Sequence, residues 1–88
     1  MNAVDRKKLR ADAHALNPVV IIGQAGLTDA VLAEIELALD YHELIKIKVR
    51  AEREDRQPIT TAICQRTGAE LIQTIGQVVV IYRLNPAK

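Results

Sequence analysis

Aromatic residues are scarce in this sequence: two tyrosines, no phenylalanine and no tryptophan stand among its 88 residues. That scarcity counts against an aromatic platform for stacking nucleic-acid bases, and it leaves the core to be built from Val, Ile, Leu and Ala. A single cysteine, Cys64, excludes both an internal disulfide and a cysteine-rich metal site. The N-terminal stretch lacks the pattern of a secretory signal, so the expected compartment is the cytoplasm. Long apolar runs are missing too. The longest, at 19–22 and 78–82, have the length of strands, far below the ~20 residues of a membrane-spanning helix. Nor does one charge dominate, since 12 Lys and Arg face 11 Asp and Glu, for a formal total of +1.

What is present suits one globular domain over residues 1–88. The composition is 49% hydrophobic and 26% charged, enough apolar surface to offset chain entropy, and a chain of this length builds a single core. The near-neutral total conceals an uneven distribution. Residues 28–40 hold Asp29, Glu34, Glu36 and Asp40 without any Lys or Arg, so against a total of +1 the remainder must carry +5. The excess sits at Arg6, Lys7, Lys8 and Arg10 and again at Lys46, Lys48 and Arg50. One side of the folded molecule is therefore expected to be basic.

Periodicity gives the elements. Leu9, Ala13 and Leu16 recur at helical spacing and Pro18 stops them, which predicts a helix over 4–16 with Lys7, Arg10 and His14 on a basic edge. Val19 to Ile22 is a β-branched run without alternation, the pattern of a strand covered on both faces. Thr28 is a good N-cap for a second helix over 28–41, whose apolar face is Val31, Leu32, Ile35, Ala38 and Leu39. Asp29, Glu36 and Asp40 fall on its other side and are expected to face water. Ile45, Ile47 and Val49 alternate with Lys46, Lys48 and Arg50, a strand with one buried and one basic side. Asp55 is a candidate cap for a third helix, with Pro58 in its first turn and Gly68 at its end. Leu71–Ile75 and Val78–Arg83 then form a hairpin at Gly76-Gln77.

The order α-β-α-β-α-β-β predicts an α/β domain. Two right-handed crossovers make three strands parallel, and the final hairpin makes the last strand antiparallel in a mixed four-stranded sheet. Because Val78 to Tyr82 is apolar on both faces, that strand belongs in the sheet interior.

Chemistry concentrates at Gly23-Gln24-Ala25-Gly26. A strand that ends in such a turn and opens into a capped helix presents backbone N–H groups at the positive end of a helix dipole, and glycines let a phosphate come close. KH domains clamp a nucleic-acid backbone through a Gly-x-x-Gly loop of this kind. The spacing alone also fits a turn that serves only to turn the chain. No Gly-Lys-Ser/Thr follows, as a P-loop requires, and the Gly-x-Gly-x-x-Gly of dinucleotide folds is absent. His14 and His42 lie far apart in sequence, and Cys64 adjoins apolar positions of the third helix, so no acid, base and nucleophile come together. A non-enzymatic protein without cofactor, metal or small-molecule substrate is expected.

Leu16-Asn17-Pro18-Val19-Val20, Gly23-Gln24-Ala25-Gly26-Leu27-Thr28, Glu43-Leu44-Ile45-Lys46-Ile47-Lys48-Val49 and Val80-Ile81-Tyr82-Arg83 together resemble the bacterial YhbY family, the stand-alone form of the CRM domain. The resemblance runs from the first helix to Arg83. It implies a fold like the C-terminal domain of translation initiation factor three, two layers with a mixed sheet in strand order 1-2-4-3. It also implies RNA binding and association with precursors of the large ribosomal subunit during assembly. The family's loop falls on Gly23, Gln24, Ala25 and Gly26. Relatives often carry Lys or Asn within it, whereas Gln24 and Ala25 are uncharged, so attraction must rest on backbone groups and nearby cations. The candidate RNA-binding set is therefore Gly23, Gln24, Ala25, Gly26 and Thr28, with Lys7, Arg10, Lys46, Lys48, Arg50 and Arg83. A monomer that binds ribosomal RNA is expected. The alternative is a protein-interaction module in which Asp29, Glu36 and Asp40 meet a basic ribosomal protein.

Overall fold

Each apolar pattern becomes one element. The computed structural model describes residues 2–87, in which α1 (Ala3–Ala13), β1 (Pro18–Ile22), α2 (Asp29–His42), β2 (Leu44–Val49), α3 (Arg53–Thr67), β3 (Glu70–Ile75) and β4 (Val78–Tyr82) follow in the expected order. The four strands form one sheet in the order β1-β2-β4-β3. β1 and β2 pair in parallel, whereas β4 pairs antiparallel with both β2 and β3. The apolar run of β4 thus occupies the interior: Val79, Val80 and Ile81 are all at most 1% exposed.

Two cores form because the sheet has helices on both faces. Ile45, Ile47 and Val49 point to one side, where they meet Val20, Ile22, Val79 and Ile81 together with Ile35 and Leu39 of α2 and Ile63 of α3. The intervening positions of β2 point to the other side, where Leu44 joins Ile72, Val80 and Tyr82 under Leu9 and Ala13 of α1. Strand alternation therefore places Lys46 and Lys48 on the face that carries α1. No helix among the described residues is long and apolar enough to cross a membrane.

Local chemistry sets the helix ends. α1 stops at Ala13, not at Leu16, because Asn17 precedes a proline and cannot stay helical; the Leu16 N–H instead donates to the Ala13 carbonyl at 3.0 Å. α2 is capped by Thr28, whose Oγ1 accepts from the Val31 N–H at 3.2 Å. It ends at Glu43, a non-glycine residue with φ of 65°. Hydrogen bonds secure that uncommon conformation: the Arg83 N–H donates to the Glu43 carbonyl at 3.0 Å and the Asn85 N–H to Glu43 Oε2 at 2.7 Å. α3 starts earlier than Asp55 suggests. Glu52 occupies its N-cap without a side-chain bond, so Asp55 lies within the first turn and Pro58 stands inside the helix. Gly68, with φ of 74°, ends α3 as expected.

β1 corrects another expectation. Only Val20 and Ile22 are buried, while Val19 and Ile21 are 50% and 53% exposed. β1 is an edge strand, and α1 packs over β2 and β3, so half of its apolar run lacks a cover.

Candidate nucleic-acid interface

β1 delivers the chain into a four-residue turn closed by the Gly26 N–H, which donates to the Gly23 carbonyl at 3.1 Å. Gln24 and Ala25 form its exposed tip. The two glycines serve different purposes. Gly26 has φ of 74°, where a side chain strains the backbone. Gly23 is not in that region, and a Cβ built on it would meet nothing within 4 Å. Neither dihedral nor internal packing requires glycine at position 23, yet the missing side chain keeps the outer surface of the turn low.

The amides past the turn divide into two groups. The Thr28 N–H donates to the Gly26 carbonyl at 3.0 Å, and the Thr28 hydroxyl is taken by Val31. Thr28 therefore serves the helix start, and its hydroxyl, an acceptor in that cap, keeps its O–H as a donor. Among the described residues, the N–H groups of Gln24, Ala25, Leu27, Asp29 and Ala30 donate to no protein acceptor. Those of Asp29 and Ala30 stand in the first turn of α2, at the positive end of its dipole. The Asp29 carboxylate also projects there, fully exposed and 3.9 Å from Arg66. It can swing into solvent but opposes an approaching anion at short range.

The turn forms one wall of a groove of about 850 Å³, which Gly23, Gln24 and Gly26 line together with Lys48, Arg50 and Gln77, and with Glu52, Asp55 and Arg56 of the α3 entrance. The fold thus brings Lys48 and Arg50 to the glycine turn from a distant part of the sequence. Arg50 is fixed there by its backbone, whose N–H donates to the Ile22 carbonyl at 2.9 Å. Among the described residues, neither Lys48 nor Arg50 has a carboxylate within 4.0 Å. Arg56 and Gln77 were not expected from sequence; the guanidinium of Arg56 is tied to the Ala51 carbonyl at 3.0 Å. Lys46 lies two residues back from Lys48 on the same sheet face. Lys7 and Arg10 belong to α1 and do not line the groove.

Arg83 departs from expectation. Its Nη1 donates to Glu36 Oε2 at 2.9 Å and to the Thr67 carbonyl at 2.7 Å, while Nη2 donates to Asp40 Oδ1 at 2.8 Å. Burial alone would lower its pKa, but the hydrogen bonds and charges of Glu36 and Asp40 outweigh it and hold the pKa above the ordinary value. The guanidinium is a structural clamp between β4, α2 and the end of α3, and it leaves the set of candidate RNA ligands. By the same contacts, two of the three carboxylates assigned to a water-facing acidic side of α2 are already engaged. Cys64 is half-buried, and burial followed by the charge of Glu70 pushes its thiol pKa up, which keeps it protonated and unreactive near neutral pH.

The domain thus sets a low glycine turn with open amides beside two cations that form no ion pair among the described residues. The sequence comparisons give the family: residues 1–83 match the CRS1/YhbY (CRM) domain, and the chain belongs to that family. It is 51% identical over 84 residues to an RNA-binding protein of Haemophilus influenzae, covering 94% of this chain and 85% of that one. It is 44% identical over 82 residues to the probable RNA-binding protein PA4753 of Pseudomonas aeruginosa, covering 92% and 79%. The solution structure of the hypothetical protein SAV1595 from Staphylococcus aureus superimposes with a TM-score of 0.83 at 30% identity, over 96% of this chain and 88% of that chain.

Proposed function

We propose that this protein binds RNA by its sugar-phosphate backbone at the Gly23–Gly26 turn and serves as an assembly factor on precursors of the large ribosomal subunit. One observation carries the binding mode. The glycine turn, with open amides at its tip, lines the same groove as Lys48 and Arg50, which form no ion pair among the described residues although Glu52 and Asp55 also line that groove. A phosphate there gains hydrogen bonds from backbone N–H groups, the field of the helix dipole and two cations. Gly23 lets it approach without meeting a Cβ. Lys46, Lys7 and Arg10 add attraction of longer range that salt screens. The names of the relatives support RNA as the polyanion, and the family resemblance supports the ribosomal setting.

Two measurements test the reading. Gly23→Asp puts a carboxylate at the turn where φ and space allow a side chain, so the fold persists while RNA affinity falls by about tenfold. An unchanged binding curve would remove the turn from the interface. Co-sedimentation across a density gradient at low and moderate salt examines the setting: co-migration with free large subunits or their precursors is expected, and migration only with soluble protein would overturn it.

A further inference from the structure

α1 covers only part of its side of the sheet. Leu9 and Ala13 lie over Leu44, Ile72, Val80 and Tyr82, and the end of that face next to the Gly23–Gly26 turn is open. There a single cross-strand row passes through all four strands: Ile21 pairs with Lys48, Lys48 with Val78, and Val78 with Ile75. Paired residues share a face, and the neighbours Ile22, Val49 and Val79 point into the core on the other side. Ile21 and Ile75 are 53% and 57% exposed, while Lys48 and Val78 are half-buried. The residues that follow the two ends of the row are Gly23, one position past Ile22, and the Gly76-Gln77 hairpin.

We propose that this row is a rest for unpaired nucleotides: single-stranded RNA whose phosphates reach the glycine turn lays its bases over Ile21, Val78 and Ile75. The inference rests on the proposed turn site for the position of the phosphates, and Lys48 belongs to both surfaces. Exposed aliphatic side chains interleaved with lysines that have no carboxylate partner fit a ligand with apolar flat faces and a negative backbone. Lys46, paired with Val80 one row back, supplies a second cation beside it. Double-stranded RNA hides its base faces and offers phosphates and 2′-hydroxyls, so it gains nothing from the isoleucines. At a strand spacing of ~4.8 Å the row is roughly 14 Å wide, and four-stranded sheets of this width accept about two or three splayed bases in other folds. Both tyrosines lie elsewhere, Tyr82 under α1 and Tyr41 on α2. The bases are therefore desolvated on aliphatic surface rather than stacked on rings, which makes the site tolerant of sequence.

The test compares an oligouridylate of a dozen nucleotides with an RNA duplex of equal length by fluorescence anisotropy. The double variant Ile21→Ser/Ile75→Ser removes apolar surface from two edge strands without touching a charge. Oligouridylate binding should weaken by about tenfold, with the duplex little changed and the salt dependence as in the parent. Gly23→Asp should weaken both ligands. If the double variant binds oligouridylate as the parent does while Gly23→Asp is impaired, the row is not a base site and the turn reading stands. Equal weakening of single strand and duplex by the double variant also overturns the inference. If Gly23→Asp loses nothing, the turn reading fails instead. Should the paired substitution unfold the domain, Ile75→Ser alone carries the comparison with the same outcomes.

Discussion

Arg83 at the end of β4 and Glu36 in the middle of α2 are joined at 2.9 Å, an ion pair across 47 positions of sequence. With Asp40 and the Thr67 carbonyl on the same guanidinium, it fastens the last strand to both helices of the larger core. Its side chain is 22% exposed, so solvent screens the pair only in part. Arg83→Ala should lower unfolding stability by about 2 kcal/mol, because two carboxylates and a carbonyl lose their donor. Urea unfolding measures this. The salt slope of RNA binding should remain that of the parent, and a reduced slope would return Arg83 to the interface.

The two glycines of the turn should separate stability from binding. Gly26→Ala forces a side chain into a φ of 74° and should cost about 1 kcal/mol. Gly23→Ala, with open space and an ordinary φ, should stay within about 0.5 kcal/mol yet weaken RNA binding. Thermal unfolding together with anisotropy distinguishes the two, and equal stability losses would contradict the different roles assigned here.

The basic residues of the β2 region should act through counterion release. Neutralising Lys48 or Arg50 should reduce the slope of log K against log salt by about 1 each. Lys46→Gln should do the same if its ammonium reaches a phosphate from the sheet face. Slopes unchanged in all three would assign these residues to solubility alone.

Cys64 predicts a pH dependence. Its thiol pKa is raised in the fold above the ordinary 9.0, by burial and then by Glu70, so the native state holds the proton more tightly than the unfolded chain. Stability is then complete below pH 9 and declines as pH rises beyond it, with the native thiol still protonated while the unfolded one ionises. Cys64→Ser should flatten that decline in urea titrations, and disulfide-exchange labelling at pH 8 should be slower for native than for denatured protein.

Local pattern carried a good part of this fold. The alternation at Ile45, Ile47 and Val49 marked a one-sided strand, and the unbroken run Val78–Tyr82 marked the centre of the sheet, because burial on two faces leaves no room for polar side chains. β1 shows the same ambiguity in reverse: an apolar edge strand with one open face has the same composition as a covered one. What covers a strand is decided by where a distant helix lies, and α1 falls over β2 and β3. The glycine turn was visible as a motif, but that Lys48 and Arg50 share its groove follows from the parallel pairing of β1 and β2. Arg83 looked like one more cation at the end of a strand. Its partners lie 16 to 47 residues away, a relationship that no window of sequence contains. The same contacts take Glu36 and Asp40 out of the acidic side of α2.

β4 comes last among the strands yet stands between two others. Before Val78–Tyr82 has left the exit tunnel, β2 and β3 have nothing to bridge them, and Val79 and Ile81 are missing from one core and Val80 from the other. Neither core of this chain is complete until its last strand is in place. A product that stops short of its final hairpin is left with an unzipped sheet for proteases to find.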